Sequence, residues 1–580
     1  MTGTGPRSSG RHSRRTFLAT VGTGVTLSTS GCTELFTEVS SWGDQLSVTI
    51  TTVPDDDDRQ SNGIFKHLES SLRAAGIDVT PELRTTAQFE KKVLIDQDFD
   101  IFVGRYPGTP RPDGLYELLH STFAYEPGWQ NPYGMTDIDL DDRLERLRHA
   151  TGTDRSAAIE SVFDSFLDTK PFVPICAPSI YYAVNDQQFT GWDRQSFRTR
   201  LGYVDLDPAA AVDQFDGLVT DARPMQNLNP LATHYRHTGA ITSLLYDSLA
   251  TRSGAGLSPW MAHDWEWRDG RLTATMRPDL TSHDEEPVTA EDVAFTFEFL
   301  ADLSLGRADS PIPAPRFRRE TSAVTSATAT DDETVEFTVD ASREVATSVL
   351  TVPILPEHVW RPIVDELDEE TASTATWLRE ELMNEEISRV GSGPYRFGSW
   401  VQGDLLTLDR FDGHFSVEDP DLPGVPVESL VLRNASNGSV AIEMVDAGDA
   451  SALVTPIEAD VIGETQEMET AARIHDPGWA YYQIGFNTQK HPFSNHRFRR
   501  AVASLIDRQW LAETVFHGHA QPLSVPKVDS SAMDDYAWTG ADPETPFVGT
   551  DGEIDVEAAR DLFRKASFEY NDSGELVVDD

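Results

Sequence analysis

Alternating apolar and polar residues in the first part of the chain predict strands that are joined by helices. Residues 46–50 alternate as a strand does, residues 64–75 carry apolar side chains at helical spacing, and residues 77–79 form a second short strand. Residues 88–94 are a second predicted helix, and residues 99–103 are a third strand. This order of strand, helix, strand, helix and strand predicts an α/β sheet with helical crossovers.

Residues 481–508 are the stretch around which the pattern is organised. β-Forming residues fill the run from Tyr481 to Phe486, and Asn487 ends it. Asn495 is a predicted N-cap, and the apolar residues after it recur at helical spacing. The stretch therefore predicts a buried strand that leads directly into an amphipathic helix.

Length and charge narrow the choice of fold and of partner. At 580 residues the chain is longer than one hydrophobic core supports, so we expect two or more lobes. It has 96 acidic and 47 basic residues, a net charge of −49, and only seven lysines. Such a surface repels nucleic acid, which we exclude as a partner. A dense carboxylate shell keeps a protein soluble in concentrated salt, where its self-repulsion is screened, so we expect the protein of a halophile.

The N-terminal residues read as an export signal. Arg14 and Arg15 lie in the run SRRTFL, which matches the twin-arginine signal, and the apolar run after it is too short to span a bilayer. That run ends at Ser-Gly before Cys32, which is the predicted site of lipid attachment. We therefore expect an extracytoplasmic protein that is anchored to the outer face of the cell membrane. Cys176 is the only other cysteine, so the mature chain has no intramolecular disulfide.

Several short motifs occur together in the rest of the chain. The run 481–508 contains FN, PF, FRRA and IDR in this order, and residues 391–395 read GSGPY. The run SHDEEPVTAEDV at 282–293 matches the pattern Asp-Gly-x-Pro-x-Thr-Ala-x-Asp-Val, except that Glu285 replaces the glycine. Together these motifs resemble the extracellular solute-binding proteins of family 5, the oligopeptide-, dipeptide- and nickel-binding proteins of ABC importers, here in an acidic form of the haloarchaeal type.

The order of the resembling segments is rotated. Residues 76–184 resemble the last third of the family, whereas the residues after 205 resemble its beginning. The helix near the end of the chain resembles the family segment that leads straight into a strand such as 46–50. We infer a circular permutation, with the old termini joined near 205–214 and the new termini opening before that strand. The alternative is a fusion of two fragments that pair with a partner chain.

The resemblance implies an α/β fold of the two-lobed, class II periplasmic-binding-protein type with an extra third domain, circularly permuted. We divide the chain into a twin-arginine lipoprotein signal at 1–32, a tether at 33–45, part of the second lobe with a crossing segment at 46–205, the first lobe at 206–265 and 390–480, the extra domain at 266–389, and the rest of the second lobe at 481–580. Crossing segments near 483–487 and 185–202 would form the hinge, and ligand would bind in the cleft between the lobes.

Aromatic and basic residues are the first candidates for the cleft. Trp479 and Tyr481 bring rings to the start of the crossing strand, where they contact ligand or pack in ordinary core. Arg105 and Tyr106 follow the predicted strand 99–103, and loops at the carboxyl ends of such strands commonly face ligand.

The next loop departs from the family. In peptide-binding relatives this loop carries an Asp that pairs with the amino terminus of the ligand, but the aligned positions here are Gly108 and Arg111. The acidic partner is therefore absent, unless Asp113 supplies the charge after a shift of the loop. Arg111 offers a bidentate fork to a carboxylate, which favours an anionic or neutral ligand. A surface-exposed arginine pair is the alternative.

The resemblance implies a substrate-binding lipoprotein of an ABC importer, which captures a small solute, foremost an oligopeptide or dipeptide, outside the cell. The expected partners are that ligand, the permease and ATPase subunits, and the membrane through the lipid anchor, and we expect a monomer. No catalytic or nucleotide-binding motif occurs, so we expect no enzyme and no cofactor. The alternative is an extracytoplasmic sensor or hydrolase on a related two-lobed fold.

Two histidine pairs lie close in sequence, His234 with His237 and His517 with His519. Neither pair comes with cysteine or acidic ligands at a known metal spacing, so we expect no metal site. A nickel chelate is a minor option for the ligand, because nickel-binding proteins belong to the same family.

Overall fold

The computed structural model describes residues 43–235, 239–254, 256–387 and 389–578. The predicted signal, with Arg14, Arg15 and Cys32, and most of the tether lie outside these ranges. Within the ranges, no helix combines the length and the apolar character that crossing a membrane requires. Three sheets of four or more strands organise this part of the chain.

Six strands form what we call the second-lobe sheet. In order across the sheet they are Ala520–Pro522, Phe172–Pro178, Tyr481–Phe486, Ile101–Tyr106, Ser47–Thr52 and Asp78–Leu83. The last three strands are parallel, and the helices Arg59–Ala74 and Thr86–Glu90 lie in the crossovers between them. This confirms the strand and helix order predicted for the first part of the chain. Tyr481–Phe486 is antiparallel to both of its neighbours and is buried along its whole length, as its apolar run predicts.

Seven strands form the first-lobe sheet. Their order is Tyr395–Val401, Leu405–Arg410, Ser429–Asn434, Gln214–Val219, Ala452–Leu453, Ile180–Val184 and Ala472–Asp476. Gln214–Val219 is parallel to both of its neighbours, and the other pairs are antiparallel. Apolar residues such as Phe215 and Leu432 face the core of this lobe.

The third domain has a four-stranded antiparallel sheet. Its order is Ala262–Arg268, Arg271–Met276, Thr334–Val339 and Val324–Ala329. The helix Ala290–Ala301 packs on this sheet through buried residues such as Phe297, whose ring contacts Phe337. Thr289 is its N-cap, and the backbone N–H of Thr289 donates to Asp292 Oδ2 at 2.9 Å. This capping box stabilises the start of the helix.

The other helices, turns and strands of the described ranges lie outside these three sheets. The other α-helices are Gly114–Leu119, Ile138–His149, Gly152–Thr169, Leu201–Val204, Arg223–Gln226, Ala240–Leu245, Arg318–Thr321, Arg343–Ala346, Glu357–Glu366, Glu369–Ser373, Ala375–Leu382, Phe415–Glu418, Gly438–Ala447, His496–Ala503, Arg508–Thr514 and Val556–Lys565. The 3₁₀ turns are Ser121–Phe123, Thr233–Tyr235, Thr347–Thr351, Ile462–Gln466 and Ser531–Tyr536. The other strands are Asp44–Gln45, Phe189–Thr190, Asp207–Pro208, Ala250–Ser253, Gly256–Pro259, Gly549–Thr550, Glu553–Ile554, Glu569–Tyr570 and Leu576–Val578.

The two ends of the described chain pair with each other. Asp44–Gln45 is antiparallel to Leu576–Val578, and the Leu46 N–H donates to the Leu576 carbonyl at 2.8 Å. Leu46 and Phe563 are buried in one hydrophobic cluster. The strand at residues 46–50 is therefore beside the terminal helix, as a circular permutation requires. The permutation itself stays a prediction.

The chain changes from one sheet to the other earlier than predicted. Phe172–Pro178 belongs to the second-lobe sheet and Ile180–Val184 to the first-lobe sheet, so one crossing lies at Ser179 and not within 185–202. The second crossing lies at 477–480, before the predicted segment 483–487. The cause of the first difference is packing, since Ile180, Tyr182 and Val184 all face the first-lobe core.

One local prediction also needs correction. The helix predicted at 88–94 is an α-helix at Thr86–Glu90 that continues as a π-helix at Lys91–Ile95. The acidic residues 55–57 are exposed, and the next residue, Asp58, caps the helix Arg59–Ala74 by accepting from the N–H groups of Gln60 and Ser61. Burial raises the pKa of Asp58.

Candidate functional site

A cavity of about 1030 Å³ opens where the two lobes and the third domain meet. The second lobe contributes residues 106–110 and Trp129, and the third domain contributes residues 315–320. Residues 192–200 and 473–477 and Trp479 also line the cavity. The volume is that of a site for a small ligand, because such sites typically enclose about 300–1,000 Å³.

The loop after the strand Ile101–Tyr106 passes unusually close to the crossing segment. Gly108 has a φ of +71°, and a Cβ atom at this position would lie 1.9 Å from the carbonyl oxygen of Trp479. Only glycine fits there, because a side chain would collide with backbone and would be strained at this φ. The absence of an acidic residue at position 108 thus has a steric cause.

Tyr106 and Trp479 are the two predicted site residues that line the cavity. The Tyr106 ring lies edge-on to Trp129, with 5.1 Å between the ring centroids. Lys527 lies over the Trp479 ring at 5.4 Å. Aromatic faces of this kind can bury an apolar part of a ligand.

Tyr481 and Arg105 lie outside the lining of the cavity. Tyr481 is only 1% exposed and lies beneath Tyr106, with the two ring centroids 5.1 Å apart. Strand alternation directs Arg105 to the opposite face from Tyr106, where its charge acts on Asp58 and lowers the pKa that burial raises. Tyr481 therefore has the core position that was the alternative to a cleft position.

Arg111 and Asp113 also lie outside the lining and form ion pairs within the protein. Asp113 is buried, and besides Arg111 it accepts from Arg155 at 2.7 Å. Burial raises the pKa of Asp113, but the charges of Arg111 and Arg155 outweigh burial, so its pKa lies below the ordinary value. Arg111 also donates to the carbonyls of Glu344 and Val345 in the third domain, at 3.2 and 3.3 Å. The pair thus joins the second lobe to the third domain.

Arginine dominates the charge of the cavity wall. The lining contains eight arginines, which are Arg194, Arg198, Arg200, Arg252, Arg316, Arg318, Arg319 and Arg473. It contains five acidic residues, which are Glu117, Asp193, Glu320, Asp476 and Asp529. The whole chain has twice as many acidic as basic residues, so the wall reverses the balance of the molecule. Sequence reasoning missed this set because its members come from separate segments without a common period.

Most of these arginines have partners in the protein. Arg200 pairs with the buried Asp247 and donates to Ser248 Oγ at 3.0 Å. Arg318 forms a two-pronged pair with Glu126 at 2.8 and 3.1 Å. Such pairs neutralise the charge where it lies, so they contribute to the shape of the wall more than to its attraction for a ligand.

Glu117 is the most buried of the five acidic residues that line the cavity. It is 5% exposed, it accepts from Ser322 Oγ at 2.5 Å, and Arg148 lies 3.7 Å away. Burial, only partly offset by Arg148, raises the pKa of Glu117 to about 7. The wall therefore carries an acid that changes its charge near neutral pH.

The described ranges contain no cluster of three or more His, Cys, Asp or Glu side chains arranged to hold a metal ion. Of the histidine pairs, His237 lies outside the described residues and His517 is exposed.

Comparisons with known proteins agree on one family. The family model for bacterial extracellular solute-binding proteins, family 5 middle region, matches residues 256–578. The dipeptide-binding protein DppE of Bacillus subtilis is 22% identical over 273 residues, which are 46% of this chain and 46% of DppE. The glutathione-binding protein GsiB of Pectobacterium atrosepticum is 26% identical over 141 residues, which are 24% of this chain and 26% of GsiB. The matches thus span less than half the length of either relative.

Solved structures from the same group are also similar. The oligopeptide-binding protein AppA of Bacillus subtilis, in complex with a nonapeptide, is 18% identical, with a TM-score of 0.47 over 63% of this chain and 67% of AppA. NikZ of Campylobacter jejuni, in complex with Ni(L-His), is 17% identical, with a TM-score of 0.43 over 63% of this chain and 65% of NikZ. Because the family model matches more than half of the sequence, this chain belongs to the bacterial extracellular solute-binding proteins of family 5.

Proposed function

We propose that this protein is the substrate-binding component of an ABC importer, which captures a small solute outside the cell and delivers it to the permease. The observation that carries the proposal is the cavity of about 1030 Å³ between the lobes of a family 5 protein. An oligopeptide or dipeptide is the proposed solute, and Tyr106 and Trp479 are the proposed aromatic contacts. The protein performs no reaction on the ligand in this proposal.

Contacts that join the lobes and the third domain support a role in which ligand stabilises a closed arrangement. Arg223 of the first lobe donates to Glu90 of the second lobe at 3.0 Å, and both side chains are buried. Ser322 of the third domain donates to Glu117 of the second lobe. A ligand that contacts all three parts favours the arrangement in which these contacts form, and that arrangement is the signal of occupancy.

Export and anchoring complete the proposal. Arg14 and Arg15 would direct twin-arginine export, and Cys32 would carry the lipid that holds the protein on the outer face of the membrane. The proposed partners are the permease and ATPase subunits of the importer, and the proposed binding unit is a monomer.

Ligand-dependent unfolding of the full chain in molar salt tests the function. A binding protein is stabilised by its ligand according to RT ln(1 + [L]/Kd), which gives about 2.7 kcal/mol at a hundredfold excess over Kd. We expect a mixed di- and tripeptide library to raise the unfolding temperature without any change in the peptides. Hydrolysis of a peptide by the purified protein, abolished by a single substitution, would contradict the proposal and favour a hydrolase.

A further inference from the structure

We propose that the ligand is anionic and that Arg252 and Arg319 together bind one of its carboxylates, with Arg198 as a further contact. The inference rests on the proposed function, because it names the class of solute that this same cavity takes.

No acidic side chain forms an ion pair with the guanidinium of Arg252 in the described ranges, although Glu320 and Asp113 lie near enough to act on its charge. Arg252 lies in the strand Ala250–Ser253, is half-buried and lines the cavity. Within the described ranges the side chain of Arg252 makes no hydrogen bond and no ion pair. Burial, followed by the nearby charge of Arg111, lowers the pKa of Arg252 to about 10. Partial burial of a guanidinium that no carboxylate contacts is costly for the protein alone, and a carboxylate ligand that contacts it would reduce that cost.

Arg319 approaches the same region from the third domain. Its side chain runs across Gly114 of the second lobe, where a Cβ atom would lie 3.5 Å from Arg319 Nε. It also lines the cavity and has no hydrogen bond or ion pair to any residue that the structure describes. Its charge contributes to the lowered pKa of Arg252, so the two guanidinium groups lie near each other. Two adjacent forks with free N–H groups match the oxygens of a carboxylate.

Arg198 is a third arginine of the lining without an ion pair in the described ranges. Its Nη2 donates to the carbonyl of Pro107 at 3.0 Å, and it forms no ion pair within the described part of the chain. Burial lowers the pKa of Arg198. A ligand in the cavity could therefore contact Arg198 as well as Arg252 and Arg319.

Acidic residues of the wall lie near these arginines, since Glu117 and Glu320 act on the charge of Arg319 and Asp476 acts on that of Arg198, but within the described ranges none forms an ion pair with them. Glu117 is held by Ser322, and Asp476 accepts from the Gly478 N–H at 2.8 Å and from Ser196. Asp193 and Asp529 are exposed. Glu320, next to Arg319 in sequence, is the remaining half-buried acid. The lining as a whole still contains more arginines than acidic residues, inside a molecule of net charge −49.

The test uses two tripeptides that differ only in charge, Ala-Glu-Glu and Ala-Gln-Gln, and the free dicarboxylate glutarate. Calorimetric titration of the full chain in molar salt gives the affinities. We expect Ala-Glu-Glu to bind at least ten times more tightly than Ala-Gln-Gln. Arg252→Gln and Arg319→Gln are each expected to weaken Ala-Glu-Glu binding about tenfold and to leave Ala-Gln-Gln binding within about twofold.

Two further variants control for folding and for general charge. Arg268→Gln removes an exposed arginine of the third domain that pairs with Glu266 outside the cavity, and we expect no change in affinity. Arg252→Lys keeps the charge and is expected to recover part of the preference for the acidic peptide, which a merely structural role of Arg252 would not produce.

Each outcome decides one of the two proposals. Equal or tighter binding of Ala-Gln-Gln overturns the anionic ligand and leaves the binding function standing. Binding of glutarate without either peptide supports the carboxylate site and makes the solute a free acid. If no probe binds, native mass spectrometry of the protein purified from its source identifies any co-purified solute. An anionic solute supports the inference, and a neutral or cationic solute overturns it. An empty protein that nothing stabilises contradicts the binding function as well.

Discussion

Two groups of cations are withdrawn from bulk water in this protein, and they differ in whether an acidic side chain of the chain hydrogen-bonds to them. Lys170 and Arg508 are fully buried, and both donate to Asp542 Oδ2, at 2.9 and 2.8 Å. Arg252 and Arg319 line the cavity without any such partner in the described residues. A charge that serves the fold has its partner in the same chain, whereas a charge that serves a ligand leaves the partner to the ligand.

The largest effect is expected from removing the counter-ion of the buried cluster. Asp542→Asn would leave two cations uncompensated and would weaken the bonds that Asp542 accepts from the Glu544 and Thr545 N–H groups. The free energy of unfolding should fall by about 3–5 kcal/mol. Urea unfolding in molar salt measures this change.

The control for this variant is Asp561→Asn, which removes an exposed partner of Arg564. It should change the free energy of unfolding by no more than about 0.5 kcal/mol. A loss below about 1 kcal/mol for Asp542→Asn would contradict the assignment of Asp542 as the counter-ion of the cluster.

Glu117 is a buried acid with a cationic neighbour, Arg148, that only partly offsets the effect of burial on its pKa. The pKa of Glu117 is about 7 in the folded protein, against an ordinary value of 4.5. Between these values the folded state holds more protons than the unfolded chain, so the free energy of unfolding falls as the pH rises from 4.5 to 7. Glu117→Gln should flatten this part of the profile, by up to about 3 kcal/mol at pH 7.

The measurement is the difference between wild-type and Glu117→Gln unfolding at pH 5 and at pH 7.5. Glu90, whose pKa burial also raises to about 7, is present in both proteins, so its contribution cancels. A difference that does not depend on pH would show that Glu117 is ionised across this range.

The smallest effect would come from converting a compensated cavity arginine into a free one. Glu126→Gln removes the partner of Arg318, which lines the cavity. If the cavity binds anions, the released charge should tighten Ala-Glu-Glu binding about two- to threefold, which is the scale of a partly exposed pair. Calorimetry measures the gain, and the double variant Glu126→Gln with Arg318→Gln should abolish it. Weaker binding by Glu126→Gln alone would argue against an anionic ligand.

Sequence patterns predicted the elements of the fold well where the signal is local. The alternation at 46–50 and the N-cap at Asn495 are both present, and the Asn495 side chain accepts from the Arg497 N–H at 3.0 Å. The crossing between the sheets lies at Ser179, and the prediction placed it too late in the chain. Nothing in the run 172–184 marks the residue at which neighbouring strands join different sheets.

The site was harder to predict because it is assembled from distant segments. Arg198, Arg252 and Arg319 share no spacing and no motif, and only tertiary structure brings them to one cavity. Arg105 was chosen for its place at the end of a strand, but alternation with Tyr106 directs it to the other face. Asp113 was a reasonable source of negative charge, yet two arginines of the same lobe already neutralise it.

The pairing of Asp44–Gln45 with Leu576–Val578 has a consequence for how the molecule is made. The strands Ser47–Thr52 and Ile101–Tyr106 leave the ribosome early, but their sheet is completed by Tyr481–Phe486 and Ala520–Pro522. The second lobe therefore cannot close until nearly the whole chain has been synthesised, and its contacts join residues that are hundreds of positions apart. Such a high contact order predicts slow folding, with the early strands exposed until their late partners arrive.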